Sequence, residues 1–137
     1  MWHPWRLLRS LPDIVVHWTP TLPEGVRGLT DGQTIWLDDT QLQAERRSTL
    51  AHELEHVDRG HTGCVSTAEE HDCRASAARR LIAMPALLDA LSWAEHLEEV
   101  AEELWVDVDT VLARLDALTD DERDQLTHLS TTTERSA

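Results

Sequence analysis

Residues 49–56 read Thr49-Leu50-Ala51-His52-Glu53-Leu54-Glu55-His56, and everything else in the chain is placed around them. Two histidines at i and i+4 stand about 40° apart on one helical face, at the separation needed to share a metal ion. The stretch lies inside a longer helical signal. Asp38-Asp39-Thr40 can cap a helix from about Gln41 to Arg59, and Gly60 closes it. Leu50, Leu54 and Val57 fall opposite the histidines, so one face is expected in a core and the pair on the other. Glu53 and Glu55 lie about 80° to either side of the histidine axis, so angles alone do not choose between them. The handed His-Glu-x-x-His pattern selects Glu53 as a general base toward an activated water.

A zinc site of this kind needs a third protein ligand and an open position. The next helix, expected from Ser66-Thr67 to about Met84, offers Glu69, Glu70, His71 and Asp72. Thr67 and Glu70 have capping-box spacing. The apolar stripe of this helix runs Cys73, Ala77, Leu81, Met84, Leu88, and one turn back from Cys73 stands Glu70. Asp72 points about 160° away from Glu70. Glu70 is therefore the expected third ligand, with Asp72 or Glu69 as the alternatives if the register differs. Cys73 reads as a small buried core residue, the usual place of a free cysteine.

Upstream, Trp5–Leu11 suggests a short helix and Ile14–Trp18 a strand ended by the Pro20–Pro23 turn. Val26–Leu29 and Thr34–Leu37 read as a hairpin turning at Asp31-Gly32. Downstream, Ala86–Trp93, Glu95–Trp105 and Thr110–Ala117 read as helices, the last capped by Asp107 or Asp109. The expected fold is α+β: a small antiparallel sheet or hairpin, the His-Glu-x-x-His helix, a second ligand-bearing helix and C-terminal helices. One domain over residues 1–126 is expected, with catalytic helices at about 41–84 and an acidic helical part at about 86–126. The Ser/Thr-rich end, 127–137, reads as a disordered tail.

The 137 residues carry a formal net charge of −14, and all 12 basic residues are arginine. Residues 1–68 hold nine acidic side chains against six arginines; residues 69–137 hold seventeen against six. Such acidity argues against direct nucleic-acid binding and against an anionic membrane surface, both of which need a positive face. It suits a basic protein partner, although a charge run is more often a solvated helix face. The two cysteines make no disulfide framework, and the opening Met-Trp-His-Pro-Trp-Arg lacks a leader pattern. A cytoplasmic protein with reduced thiols is expected.

The Thr49–His56 stretch, the glutamate after it and the Ala77-Ala78-Arg79-Arg80-Leu81-Ile82 helix together resemble the ImmA/IrrE metallo-endopeptidases, in particular the small actinobacterial and actinophage type. The upstream hairpin and Leu104-Trp105-Val106-Asp107 extend the resemblance across most of residues 14–118. The resemblance implies a compact zincin-like domain that binds Zn2+ and cuts a helix-turn-helix transcriptional repressor, releasing phage, mobile-element or stress genes. It assigns His52, His56 and Glu70 to the metal and Glu53 to catalysis. Many zincins stabilise the oxyanion with tyrosine or histidine; this chain has no tyrosine, which leaves His61, His71 and Arg74 as candidate donors. The rival reading is a non-catalytic, zincin-shaped regulatory module that grips a repressor or another basic partner without cutting it. A DNA-repair zincin is a third, weakened by the missing basic patch.

Overall fold

The computed structural model describes the backbone of residues 1–136 and side chains through residue 131. Alternation of apolar and polar residues in Thr34-Ile35-Trp36-Leu37-Asp38 sets the sheet, because Ile35 and Leu37 point one way and are fully buried. This strand, β3 (Thr34–Asp38), lies between β1 (Val15–Thr19) and β2 (Gly28–Thr30). β2 and β3 form the expected hairpin. Asp31 Oδ1 accepts the backbone N–H groups of Gln33 and Thr34 at 2.9 and 2.8 Å, and Gly32 takes φ +94°.

The sheet is mixed, which corrects the antiparallel expectation: β1 runs parallel to β3, from Val15 opposite Thr34 to Thr19 opposite Asp38. The reason is the connection after β1. Residues 20–27 carry the chain past the place of β3 to the far edge, and β3 then enters between the two earlier strands.

Helix α1 (Pro4–Arg9) and the sheet pack on one side of α2 (Gln43–Asp58), where Ile35, Leu37, Leu50 and Leu54 form a core with Trp5, Leu7, Leu8 and Val57. On the other side, Ala51 of α2 joins a second core. It contains Ala77 and Leu81 of α3 (Thr67–Leu81), Leu87 of α4 (Met84–Trp93), Val100 and Leu104 of α5 (Leu97–Leu104) and Val111 of α6 (Val108–Asp116). Helix α2 is thus covered on two sides rather than one. Its polar Arg47, Ser48, Thr49, Glu53, Glu55 and His56 are buried with its leucines.

Several boundaries have local causes. Leu42, which has no side-chain acceptor, precedes α2; Asp38 instead accepts the Thr40 N–H at 2.9 Å in the turn before it. Helix α3 stops at Leu81, three residues short of the expected end, because Pro85 sits in the first turn of α4 and a new helix begins there. Asp107 caps α6 through Thr110 N–H at 2.8 Å. The expected tail from residue 127 is instead the backbone of α7 (Asp120–Ser136), with Ala137 outside the described residues. Thr119 and Glu122 bond each other's backbone N–H at its start, and Thr127 and Thr131 donate their hydroxyls to the carbonyls of Arg123 and Thr127.

Arg47 holds these layers together. It is 1% exposed, and its guanidinium donates to the carbonyls of Trp2, Leu104 and Trp105 at 2.7, 3.2 and 2.9 Å, and to that of Leu81 at 3.4 Å. Three of those carbonyls belong to helix C-termini, where a cation meets unsatisfied acceptors. Arg47→Met keeps the volume and removes the donors. It should lower unfolding free energy by about 2–3 kcal/mol with an unchanged slope in urea denaturation.

Candidate metal centre

The i, i+4 spacing on α2 brings the His52 and His56 rings together, with Nε2 atoms 3.2 Å apart. Glu70 arrives from the first turn of α3. There the cap is Ser66, whose hydroxyl accepts the Glu69 N–H at 3.1 Å, in place of the expected Thr67–Glu70 box. That shift leaves the Glu70 carboxylate free to face α2. Its Oε1 lies 2.5 Å from His52 Nε2 and its Oε2 lies 3.1 Å from His56 Nε2.

Two imidazole nitrogens and one carboxylate converge closely enough to share an ion, with the His52–Glu70 pair drawn to hydrogen-bond distance and having to part slightly to admit it. Bonds of about 2.0–2.1 Å in a tetrahedron place ligand atoms about 3.3 Å apart. Burial pushes the pKa of both His52 and His56 down, which favours the neutral imidazoles that a metal requires. His52, His56 and Glu70 can therefore hold a metal ion.

Glu53 and Glu55, equivalent by helical angle, have different surroundings. The Glu55 carboxylate pairs with Arg59 at 3.7 Å and with Arg80 of α3 at 3.3 Å, a structural use. Glu53 lines a cleft of about 910 Å3 together with His52 and Glu70. It is 6% exposed, and burial, followed by the negative charge of Glu70, pushes its pKa up to about 8. A cation on the triad is the charge that would bring it down again.

The edge strand β2 lies over Glu53, and here Gly28, which the sequence reading passed over, matters. A Cβ at Gly28 would come within 2.6 Å of Thr49 Cγ2 and 3.3 Å of Glu53 Oε1, so only glycine allows this approach. A glycine inside a short strand is the sequence signal of such an approach. Gln41 ties the entrance of β2 to the end of β3 and to α2, donating to the carbonyls of Arg27 and Asp38 at 3.1 and 3.0 Å while accepting from the Thr49 hydroxyl at 2.7 Å.

The remaining candidates scatter. Asp72 is exposed and belongs to neither metal-competent group among the described residues. Glu69 is exposed, with Oε2 3.7 Å from His61 Nε2. His71 and Arg74 line the cleft from α3, His71 with Asp116 at 3.9 Å. His61 does not line it: it stands behind His56, Nδ1 to Nδ1 at 2.9 Å. Cys73 is fully buried, with Sγ 3.7 Å from His56 Nδ1. His56, His61 and Cys73 form the second metal-competent group.

No family model, no curated protein and no solved structure matches the chain. Among the described residues, no helix is long and apolar enough to cross a membrane.

The ligand set predicts a clear ranking in metal analysis after dialysis against zinc. His52→Ala and Glu70→Ala should each lose the bound ion, whereas Asp72→Ala should retain one per chain. Retention in Glu70→Ala with loss in Asp72→Ala would reverse the assignment.

Proposed function

We propose that this chain is a zinc-dependent endopeptidase of the ImmA/IrrE kind, with a zincin-like fold, acting on a helix-turn-helix transcriptional repressor in the cytoplasm. The observation that carries the reading is the joint placement of Glu53 and the His52–His56–Glu70 group on one cleft beneath an edge strand. A structural metal site is closed and has no use for a buried carboxyl group beside it that, among the described residues, no cationic side chain pairs with.

The zinc would supply Lewis acidity, polarising the scissile carbonyl and making a water a better nucleophile. The rest of the work falls to protein groups. Glu53 takes the proton of the attacking water and delivers it to the leaving amine. β2 pairs with β3 on one side only and meets the cleft at Gly28, so its outer edge is the place where an extended substrate segment would add as a further strand. Arg74 and His71 on the opposite wall are the donors available to negative charge developing on the carbonyl oxygen.

The repressor as substrate rests on the sequence resemblance and on charge. Glu95, Glu98, Glu102 and Glu103 are exposed on and beside α5, a surface complementary to a basic DNA-binding domain. The same acidity disfavours the DNA-repair reading.

Glu53→Gln decides between cutting and gripping. The variant should bind zinc and a helix-turn-helix repressor substrate as wild type does, while cleavage of that repressor falls by at least about 100-fold. Equal relief of repression by both proteins would replace the peptidase by a binding module.

A further inference from the structure

The end of α2 is closed by a Schellman motif. Gly60 takes φ +74°, its N–H reaches the Val57 carbonyl at 3.1 Å, and the His61 N–H reaches back to the His56 carbonyl at 2.9 Å. In such motifs the side chains three residues before the cap and two after it touch, as a rule through apolar groups. Here those two positions are His56 and His61. Their rings are 5.2 Å apart between centroids, with Nδ1 facing Nδ1 at 2.9 Å.

Resting on the metal-centre reading above, we infer that His61 is a positioning residue for the metal: it accepts a hydrogen bond from His56 and so fixes the tautomer in which His56 can be a ligand. The proton count leaves one arrangement. With an ion held between His52, His56 and Glu70, His56 Nε2 must present its lone pair there, and its single proton sits on Nδ1. That proton points at His61 Nδ1, which must then be an acceptor. The His61 proton consequently sits on Nε2, toward the Glu69 carboxylate at 3.7 Å. The sequence of groups is metal position, His56, His61, Glu69. An outer partner of this kind orients a ligating histidine and raises its basicity, and its loss costs about 10–100-fold in metal affinity.

Cys73 Sγ, at 3.7 Å, is the more distant neighbour of the same nitrogen, and a nitrogen that carries the proton donated to His61 has no lone pair left for a second ion. The second group therefore serves the first site instead of holding an ion of its own. His52 has no equivalent support, since its Nδ1 is buried without a protein partner. His56 is the ligand whose orientation the chain itself enforces.

The test uses the full-length protein and zinc affinity measured by competition with a chromophoric chelator. His61→Leu supplies the ordinary apolar contact of a Schellman motif, so the metal-free variant should melt with wild type, yet bind zinc about 10–100-fold more weakly. His61→Asn restores an acceptor near the position of Nδ1 and should recover most of that loss. Unchanged affinity in His61→Leu, or equal loss in the leucine and asparagine variants, overturns the inference. Cobalt loading provides a second readout. One equivalent without a thiolate-to-cobalt charge-transfer band is expected. A second equivalent whose band disappears in Cys73→Ser would make His56, His61 and Cys73 an ion site and overturn the inference as well. Zinc bound equally by wild type and His52→Ala would remove the metal centre itself, a failure distinguishable from the others.

Discussion

Two imidazoles and a carboxylate from two helices converge on a single position. The Nε2 atoms of His52 and His56 and the Glu70 carboxylate lie 2.5–3.2 Å from one another. A shared cation satisfies all three at once, and burial already favours the uncharged imidazoles. The remaining features act on this convergence. The Ser66 cap releases Glu70 toward it, the i, i+4 spacing supplies the histidines, and Glu53 waits beside it in a cleft closed from above by β2.

Such a site can be held only by a helix that is polar and buried together. Helix α2 meets that demand by giving most of its buried polar side chains partners elsewhere in the chain, although Arg47 Nε and His52 Nδ1 are buried without one. Arg47 takes the terminal carbonyls of α3 and α5, Ser48 accepts the Asp107 N–H at 3.2 Å, Thr49 bonds Gln41, and Glu55 pairs with Arg80. The polar interior thereby links fold stability to site geometry, since satisfied buried polar networks specify one arrangement more sharply than apolar contacts do.

Much of this was legible in the chain. Helical angles alone placed His52 and His56 together, and the Cys73–Ala77–Leu81 stripe alone turned Glu70 toward them, because both are short-range consequences of a 3.6-residue repeat. The Asp31-Gly32 turn and the Asp107 cap were likewise local chemistry. What escaped was set by longer-range packing. The parallel pairing of β1 depends on where residues 20–27 cross, which no periodicity encodes. The polar side chains of α2 look like a solvated face in sequence, and only their distant partners reveal burial on two sides. Helical angles left Glu53 and Glu55 equivalent and only the His-Glu-x-x-His pattern chose Glu53; the structure adds that Arg59 and Arg80 pair with Glu55. Gly28 gave the weak signal of a strand glycine, and its meaning lay in a side chain 25 positions away.

The central claim is a metal centre built from two imidazoles and a carboxylate, with the thiol outside it. X-ray absorption at the zinc edge of the zinc-loaded chain tests it most directly. The account predicts two imidazole nitrogens and oxygen scatterers at about 2.0–2.2 Å, with no sulfur. A sulfur shell at about 2.3 Å, or a third imidazole, would contradict it.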